Sequence, residues 1–289
     1  MFLYSCFGER VASAFPLPLE AAPLGTSSVS ILPGVASYSL PNINAGLNFE
    51  LRGRNLQLYY ADAGNFVLDP TGHIYATALQ EPPSPFFYRF IAMNMLGLLL
   101  MMRGRLVLHG SGVATTDGQA LIVGKSGAGK STLTLALHAA GYPLVCDDVA
   151  VINIEKRPYA ERGVPYVKAW GDALHTLNIP AQPLEQLSAQ VQKRLVPFTP
   201  ATLAGGLRRI YVLEPAERVT LEPMPFAGAF EHLVRHTFMP RGLELVGQQQ
   251  RHFADLASLL RHVEVYRITR TSDFTSLAEC VALIGDKAR

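Results

Sequence analysis

The chain has 289 residues, of which 49% are hydrophobic and 17% are charged, so it can bury a core and disorder is excluded as its main state. Its length predicts about two domains. With 25 basic and 23 acidic residues the net charge is only +2, which argues against a dedicated nucleic-acid binder. Cys6, Cys146 and Cys280 are odd in number and far apart, which predicts a cytoplasmic protein without a disulfide framework.

No segment predicts a membrane span or a targeting signal. The longest apolar run, residues 90–102, is shorter than the roughly 20 residues of a membrane-spanning helix. We interpret it as a buried helix. The first ten residues lack the basic start, apolar middle and small-residue cleavage site of a secretory signal. We therefore expect no membrane partner.

The first eighty or so residues predict a small antiparallel β meander. Apolar residues alternate with polar ones over residues 47–79, and turn-forming residues separate the runs. Residues 81–85, EPPSP, contain three prolines that cannot donate to a sheet, so they predict a linker. We expect an N-terminal β-rich domain with its linker at 1–85 and a second domain at 86–289.

The second domain predicts strands that alternate with helices. The chain order starts with a helix at 88–102, strands at 105–109 and 119–123, a helix at 129–140 and a strand at 143–146. Further helices are predicted at 184–195, 227–238, 252–263 and 273–284, and further strands at 209–213, 218–221 and 265–268. This alternation predicts an α/β fold with a largely parallel sheet, at least in its first half.

A phosphate-binding loop lies between a predicted strand and a predicted helix. Residues 124–131 read GKSGAGKS and match the Walker A pattern GxxxxGK[ST] in full, which disfavours an ordinary glycine-rich turn. Lys130 is expected to reach the β- and γ-phosphates of ATP, and the Ser131 hydroxyl to bind Mg²⁺. The predicted nucleotide-binding residues are Gly124, Lys125, Ser126, Gly127, Ala128, Gly129, Lys130, Ser131 and Thr132.

Two acidic residues, Asp147 and Asp148, directly follow the predicted strand at 143–146. In a parallel sheet this strand and the phosphate-loop strand end at the same edge, so the carboxylates are expected to face the γ-phosphate. One carboxylate can hold Mg²⁺, and the other can accept a proton from a hydroxyl if a neighbouring cation keeps it ionised. The alternative is a solvated turn after a strand.

The segment HGSGVATTDGQALIVGKSGAGKSTLTLALHAAGYPLVCDDVAVI, residues 109–152, resembles the catalytic core of the HPr kinase/phosphorylase family. The spacings from His109 to Lys130 and from Lys130 to Asp147 also fit, and the match is weaker over 164–174. The resemblance implies a phosphate-loop kinase core in which Asp147 takes the hydroxyl proton, Asp148 lies at the metal and His109 is an active-site histidine. It makes Asp172, close to Trp170, a candidate third carboxylate at the metal, and the alternative is a packed turn at Trp170 with a solvated aspartate beside it.

The pattern departs from the bifunctional enzymes at Thr132, where they usually carry glutamate, and their phosphorolysis signature is missing. The layout of the chain is more similar to stand-alone HPr-kinase-like proteins, including kinases of lasso-peptide precursors. The resemblance implies a kinase that phosphorylates a serine, or less often a threonine, on a peptide or small protein, with ATP and Mg²⁺. A homo-oligomer stays open, and the N-terminal meander is a candidate for recruiting the acceptor by strand addition.

Two other functions stay open, namely a kinase of small hydroxyl compounds and a non-catalytic module that binds ATP as a signal. Weaker candidates are a zinc site at His232 and His236, which share a helix face without a completing ligand, and the dispersed arginines near the C-terminus. Ser111 is far in sequence from any positioned base, which argues against a hydrolase.

Overall fold

The computed structural model describes residues 1–34, 46–155, 157–188, 191–201 and 205–287. They form a mixed α/β protein that divides into two units. The first unit is Met1–Arg105 with Phe238–His252, and the second is Leu106–Thr237 with Phe253–Arg289. Residues 86–105 group with the first unit, and a domain boundary at residue 85 stays a prediction.

The first unit is built on one sheet of eight strands: β1 Phe2–Cys6, β2 Glu9–Ser13, β3 Glu20–Ala21, β4 Val29–Pro33, β5 Leu47–Arg52, β6 Asn55–Tyr60, β7 Gly64–Asp69 and β8 His73–Ala78. The strand order is β3-β1-β2-β4-β8-β7-β6-β5. The predicted antiparallel meander is confirmed for β5 to β8. It is wrong for β4, which pairs in parallel with both β2 and β8. Residues 35–45 of the predicted meander lie outside the described residues.

A long apolar helix follows the proline-rich segment and comprises α1 Pro85–Phe90, a π-helical turn Ile91–Met95 and α2 Leu96–Met102. Ser84 caps its start by accepting a hydrogen bond from the Phe87 N–H at 3.3 Å, and Pro85 occupies the first helical position, where its missing N–H costs nothing. At 18 residues and mean hydropathy 1.5 the helix is long and apolar enough to cross a membrane, but 78% of it is buried inside the protein. This burial favours the predicted core helix.

The remaining elements follow in chain order. The strands are β9 Leu106–Leu108, β10 Gly110–Thr115, β11 Gly118–Gly124, β12 Leu144–Cys146, β13 Ala150–Asn153, β14 Tyr159–Ala160, β15 Tyr166–Ala169, β16 Arg194–Pro197, β17 Leu207–Pro215, β18 Thr220–Pro223 and β19 Glu264–Arg270. The helices are α3 Lys130–Ala139, α4 Gly171–Thr176, α5 Phe226–Arg235, α6 Pro240–Leu245, α7 Gln249–Leu259 and α8 Leu277–Lys287. Of these helices, α6 belongs to the first unit and α7 contains a unit boundary.

A six-stranded sheet with the order β12-β10-β11-β17-β19-β18 forms the centre of the second unit. Successive side chains of a strand point to opposite faces of a sheet, and those of β11 are buried on both faces. Ile122 packs in one cluster with Leu133 of α3 and Ile284 of α8. Leu121 packs in the other with Leu233 of α5. Helices therefore cover both faces of the sheet and leave its edges for the loops.

The sheet is less parallel than the sequence predicts. Among the described strands of this sheet, parallel pairing occurs only between β11 and β17 and between β17 and β19. Strand β10 lies between β11 and β12 and is antiparallel to both. Since two reversals restore the direction, β11 and β12 still run the same way and end at the same sheet edge. The phosphate loop and the aspartates therefore still lie at the same sheet edge, as predicted, although an antiparallel strand separates β11 from β12.

The helix predicted at 184–195 is wrong within the described residues. Residues 184–188 and 191–193 are not helical, and β16 begins at Arg194. An isolated bridge joins Gln186 to Arg194, and β16 pairs antiparallel with β15. Strand pairing therefore overrides the helical spacing of this segment, whose residues 189–190 lie outside the described part of the chain. Two smaller sheets complete the unit, β14-β13-β9 and β15-β16.

A matched pair of leucines tests the core of the first unit. Leu56 on β6 is 0% exposed, and its register partner Leu51 on β5 is 39% exposed. We expect Leu56→Ala to lower the free energy of unfolding by about 2–5 kcal/mol because it leaves a cavity. Leu51→Ala should cost no more than about 1 kcal/mol. Urea denaturation of the full chain measures both, and equal losses would contradict the burial described here.

Candidate active site

The phosphate loop joins the end of β11 to the start of α3, as the sequence predicts. Gly127 and Gly129 have φ of 84° and 92°, which favour glycine, and Gly129 is the residue that begins α3 as its N-cap. A Cβ atom on Gly124 would lie 2.7 Å from the Leu213 carbonyl oxygen of β17, so only glycine fits there. The loop backbone is thus free to turn its N–H groups inward and cradle an anion.

Lys130 lies inside this loop with only 7% of its surface exposed. Its Nζ donates hydrogen bonds to the carbonyl oxygens of Gly124 at 2.8 Å and Lys125 at 3.1 Å. Burial lowers the pKa of Lys130, and the charges of Asp148 and Asp147 oppose that shift. The two aspartates are therefore close enough to act on the ammonium of the loop.

Asp147 follows β12 and is 1% exposed. Its Oδ1 accepts hydrogen bonds from the hydroxyls of Ser111 at 2.6 Å and Ser131 at 3.2 Å, and its Oδ2 accepts one from the Lys168 N–H at 3.2 Å. Burial, followed by the neighbouring Asp148 charge, raises the pKa of Asp147. The contact with Ser131 brings this carboxylate to the residue that the Walker A pattern assigns to Mg²⁺.

Asp148 lies at the centre of a tight three-residue turn. Its φ is 68°, in the left-handed region, and the Val149 N–H donates to the Asp147 carbonyl oxygen at 2.8 Å. Turns of this kind are rare and strained for residues other than glycine. Strained residues of this type concentrate at functional sites. The turn directs the two neighbouring carboxylates into different surroundings.

Two crossings of the chain between sheets explain how His109 reaches Asp148. The chain passes from β12 of the large sheet to β13 of the three-stranded sheet through Asp148, and from β9 to β10 between the same two sheets through His109. Because β10 pairs with β12 and β9 pairs with β13, the two crossings lie side by side. The His109 Nδ1 is 3.0 Å from the Asp148 carbonyl oxygen and 3.4 Å from its Oδ1.

Lys168 of β15 contacts both aspartates. Its N–H bonds to Asp147, and its Nζ forms an ion pair with the Asp148 Oδ2. Burial alone would raise the pKa of Asp148, but the charges of Lys168 and His109 outweigh it and lower that pKa to about 2. Burial lowers the pKa of His109, against the raising effect of Asp148. The pKa values of the two aspartates are thus shifted in opposite directions.

Three residues that the sequence analysis did not assign to the site lie in it. Ser111 binds Asp147, Lys168 binds both aspartates, and Lys193 has its pKa lowered by burial and by Lys168 while Asp148 and Asp147 oppose the shift. In the sequence analysis, the one signal for a residue such as Lys168 was that a cation has to lie beside the aspartates to keep one of them ionised. No local pattern could identify it, because β15 is brought to the aspartates by tertiary packing.

Other residues that the sequence analysis proposed do not contact the aspartate pair in the structure. Asp172 is exposed in the first turn of α4, where its Oδ1 accepts from the Ala173 N–H at 2.7 Å. Among the described residues no group of three or more histidine, cysteine, aspartate or glutamate side chains has a metal-binding arrangement. The structure therefore does not assemble Asp172 with the aspartate pair, nor a zinc site at His232, whose Nδ1 lies 3.6 Å from Glu214. Trp170 is 51% exposed, and the Lys193 Nζ lies 5.2 Å from its ring centre.

The remaining loop residues lie where the Walker A pattern expects them. Lys125, Ser126 and Gly127 are exposed, whereas Ala128, Gly129, Ser131 and Thr132 are half-buried. The oxygen atoms of Ser131 and Asp147 are of the chemical type that Mg²⁺ prefers. The residues present therefore fit a magnesium ion beside the loop.

Comparison with known proteins adds little to this geometry. No family model matches the chain, and no curated protein matches it. Among solved structures it is similar to the HPr(Ser) kinase/phosphatase from Coxiella burnetii, with 14% identity and a TM-score of 0.34 over 63% of this chain and 95% of that one. A likeness at this level carries no argument about activity, which has to be argued from the chain's own residues.

Lys168 offers a test of the electrostatics of the site. Because the pKa of Asp148 is lowered from 3.8 to about 2, its ion pairs stabilise the fold above about pH 4, and this contribution is lost as the pH falls to about 2. We expect Lys168→Met to lower the free energy of unfolding by about 2 kcal/mol at pH 7.

The difference between Lys168→Met and the wild type should shrink as the pH falls from about 4 to about 2. Lys125→Met serves as the control, because Lys125 is exposed. Urea denaturation at a series of pH values measures the difference, and a pH-independent loss in Lys168→Met would contradict the assigned ion pair.

Proposed function

We propose that this protein is an ATP-dependent kinase that transfers the γ-phosphoryl group to the serine, or less often threonine, hydroxyl of a peptide or small protein. One observation carries the proposal. A complete phosphate loop contacts, through Ser131, one of two adjacent aspartates whose pKa values are shifted in opposite directions. A site that only binds nucleotide needs a single carboxylate at the metal, so the second one favours catalysis.

The contacts favour a division of roles opposite to the one that the family resemblance implies. Asp147 is 1% exposed and bonded to Ser131, so it is suited to the metal side of the loop. The side chain of Asp148 is 23% exposed and lies beside His109, so an acceptor hydroxyl can approach it more readily. We propose Asp148 as the proton acceptor and Asp147 as the carboxylate that supports Mg²⁺. The roles that the resemblance implies, with Asp147 as the proton acceptor and Asp148 at the metal, remain the alternative to test.

In this proposal the acceptor oxygen bonds to the γ-phosphorus as the bond to the β,γ-bridging oxygen breaks, and ADP leaves with that electron pair. The hydroxyl proton passes to the Asp148 carboxylate. Phosphoryl transfer has a loose transition state, so a weak base suffices and positioning does most of the work. Lys168 keeps Asp148 ionised, and the loop N–H groups with Lys130 stabilise the phosphate charge.

Ser131 and Asp147 would hold the metal. Bound Mg²⁺ neutralises charge on the β- and γ-phosphate oxygens. Asp147 in turn depends on Ser111, whose hydroxyl keeps its Oδ1 oriented towards Ser131. The recruitment of an acceptor by the sheet of the first unit, whose edge strands are β3 and β5, stays a prediction, as do the lasso-peptide acceptor and the cytoplasmic location.

Two isosteric variants test the division of roles. Asp148→Asn removes the proton acceptor, so we expect kcat to fall about 10²- to 10⁴-fold with little change in nucleotide affinity. Asp147→Asn should instead raise the Mg²⁺ concentration for half-maximal rate about 10- to 100-fold. Asp286→Asn, at an exposed position of α8, is the control. A loss of kcat in Asp147→Asn at an unchanged Mg²⁺ requirement would restore the opposite assignment.

The kinase activity itself is tested by following labelled γ-phosphate from ATP into a library of serine-containing peptides and, separately, into free serine and other small hydroxyl compounds. We expect label on peptides, with release of ADP that requires an acceptor. Lys130→Met should abolish both, because the loop then lacks its cation. Transfer to small compounds alone, or nucleotide binding without acceptor-dependent ADP release, would contradict the proposal.

A further inference from the structure

A second buried cation lies against the phosphate loop. Arg270 is the last residue of β19, which follows the direction of β11 through β17, so it lies at the same sheet edge as the loop. An ideal Cβ atom on Gly129 would be 2.5 Å from the Arg270 Nη1. The guanidinium is therefore in contact with the residue that begins α3, where loop N–H groups are free to bind an anion.

The hydrogen bonds of Arg270 are incomplete. The residue is 4% exposed, its Nη2 donates to the Asp273 carbonyl oxygen at 2.5 Å, and its buried Nε has no partner. Arg270 forms no salt bridge with a carboxylate of the described residues. The Asp273 Oδ1 instead accepts hydrogen bonds from Thr271 and Thr275.

Burial without an anion is costly for a guanidinium. Burial lowers the pKa of Arg270 and outweighs the opposing charge of Asp273, while the nearby Cys280 offers no charge at neutral pH because burial raises the pKa of its thiol to about 11. A buried charge is ordinarily paired or bound to a ligand. Arginine also suits phosphate oxygens, because its planar donors can bind two of them at once. A phosphate oxygen would supply the partner that the Arg270 Nε lacks.

We propose that Arg270 binds the phosphates that the loop backbone holds, and that it is a nucleotide-binding residue acting in cis from the end of β19. The inference rests on the proposed function, since it requires a nucleotide in the loop. Backbone N–H groups of such loops hold the α- and β-phosphates, whereas the loop lysine reaches the β- and γ-phosphates. Arg270 contacts Gly129 of the loop, so it serves the phosphates that ADP and ATP share.

This assignment differs from a purely structural brace behind the loop. A brace would affect the stability of the nucleotide-free protein and leave its affinity for ADP and ATP unchanged. A phosphate-binding arginine changes the affinity for ADP and ATP by the same factor, because both carry the contacted groups. Loss of an interaction that is made equally in the ground and transition states raises KM and leaves kcat almost unchanged.

The test is calorimetric titration of the full chain with Mg·ADP and with a non-hydrolysable Mg·ATP analogue. We expect Arg270→Gln to weaken both about 10- to 100-fold, as for the loss of a charged hydrogen bond. Arg270→Lys, which keeps the charge, should recover part of the affinity. In the kinase assay KM for ATP should rise while kcat changes less than about threefold.

The matched control is Arg208→Gln, since Arg208 is exposed and lies at the start of β17, at the opposite edge of the sheet from the loop. Unchanged affinity for both nucleotides in Arg270→Gln, or a loss confined to the ATP analogue, would overturn this inference while the proposed function stands. Failure of the wild type to bind either nucleotide would overturn the proposed function itself, and this inference with it.

Discussion

Two adjacent carboxylates beside the phosphate loop repel each other, and the whole site depends on how that repulsion is relieved. The second unit gives each aspartate its own partners. Asp147 receives hydroxyl and backbone donors, whereas Asp148 contacts the Lys168 ammonium and the His109 imidazole. Neighbouring acids with different surroundings titrate apart, which is how a site obtains distinct roles from two identical side chains. Lys168 is central because it contacts both.

The topology supplies this arrangement from ordinary strand pairing. Strand β10 reverses direction between β11 and β12, so the phosphate loop and the aspartates emerge at one edge of the sheet. Two crossings between the same pair of sheets then bring His109 to Asp148. Strand β19 delivers Arg270 to that edge as well. Residues far apart in the chain therefore meet around the loop without an extra domain.

Much of this unit could be predicted where the signal is local. The strand, glycine loop and helix of residues 118–139 follow from glycine positions and apolar runs, and the structure has them. The helix predicted at 184–195 failed because its helical spacing competes with pairing to β15, which a local pattern does not contain. Lys168 and Arg270 could not be predicted for the same reason, since only the folded sheet brings them to the loop. Ser111 is far from Asp147 in sequence, and the pairing of β10 with β12 brings the two together.

The most direct test of the central claim is a crystal structure of the full chain with Mn²⁺ and a non-hydrolysable ATP analogue, since Mn²⁺ replaces Mg²⁺ and is located by anomalous scattering. We predict the triphosphate in the loop formed by residues 124–131, the metal beside Ser131 and Asp147, and the Asp148 carboxylate facing the γ-phosphate. A triphosphate bound elsewhere, or both carboxylates turned away from it, would contradict the account.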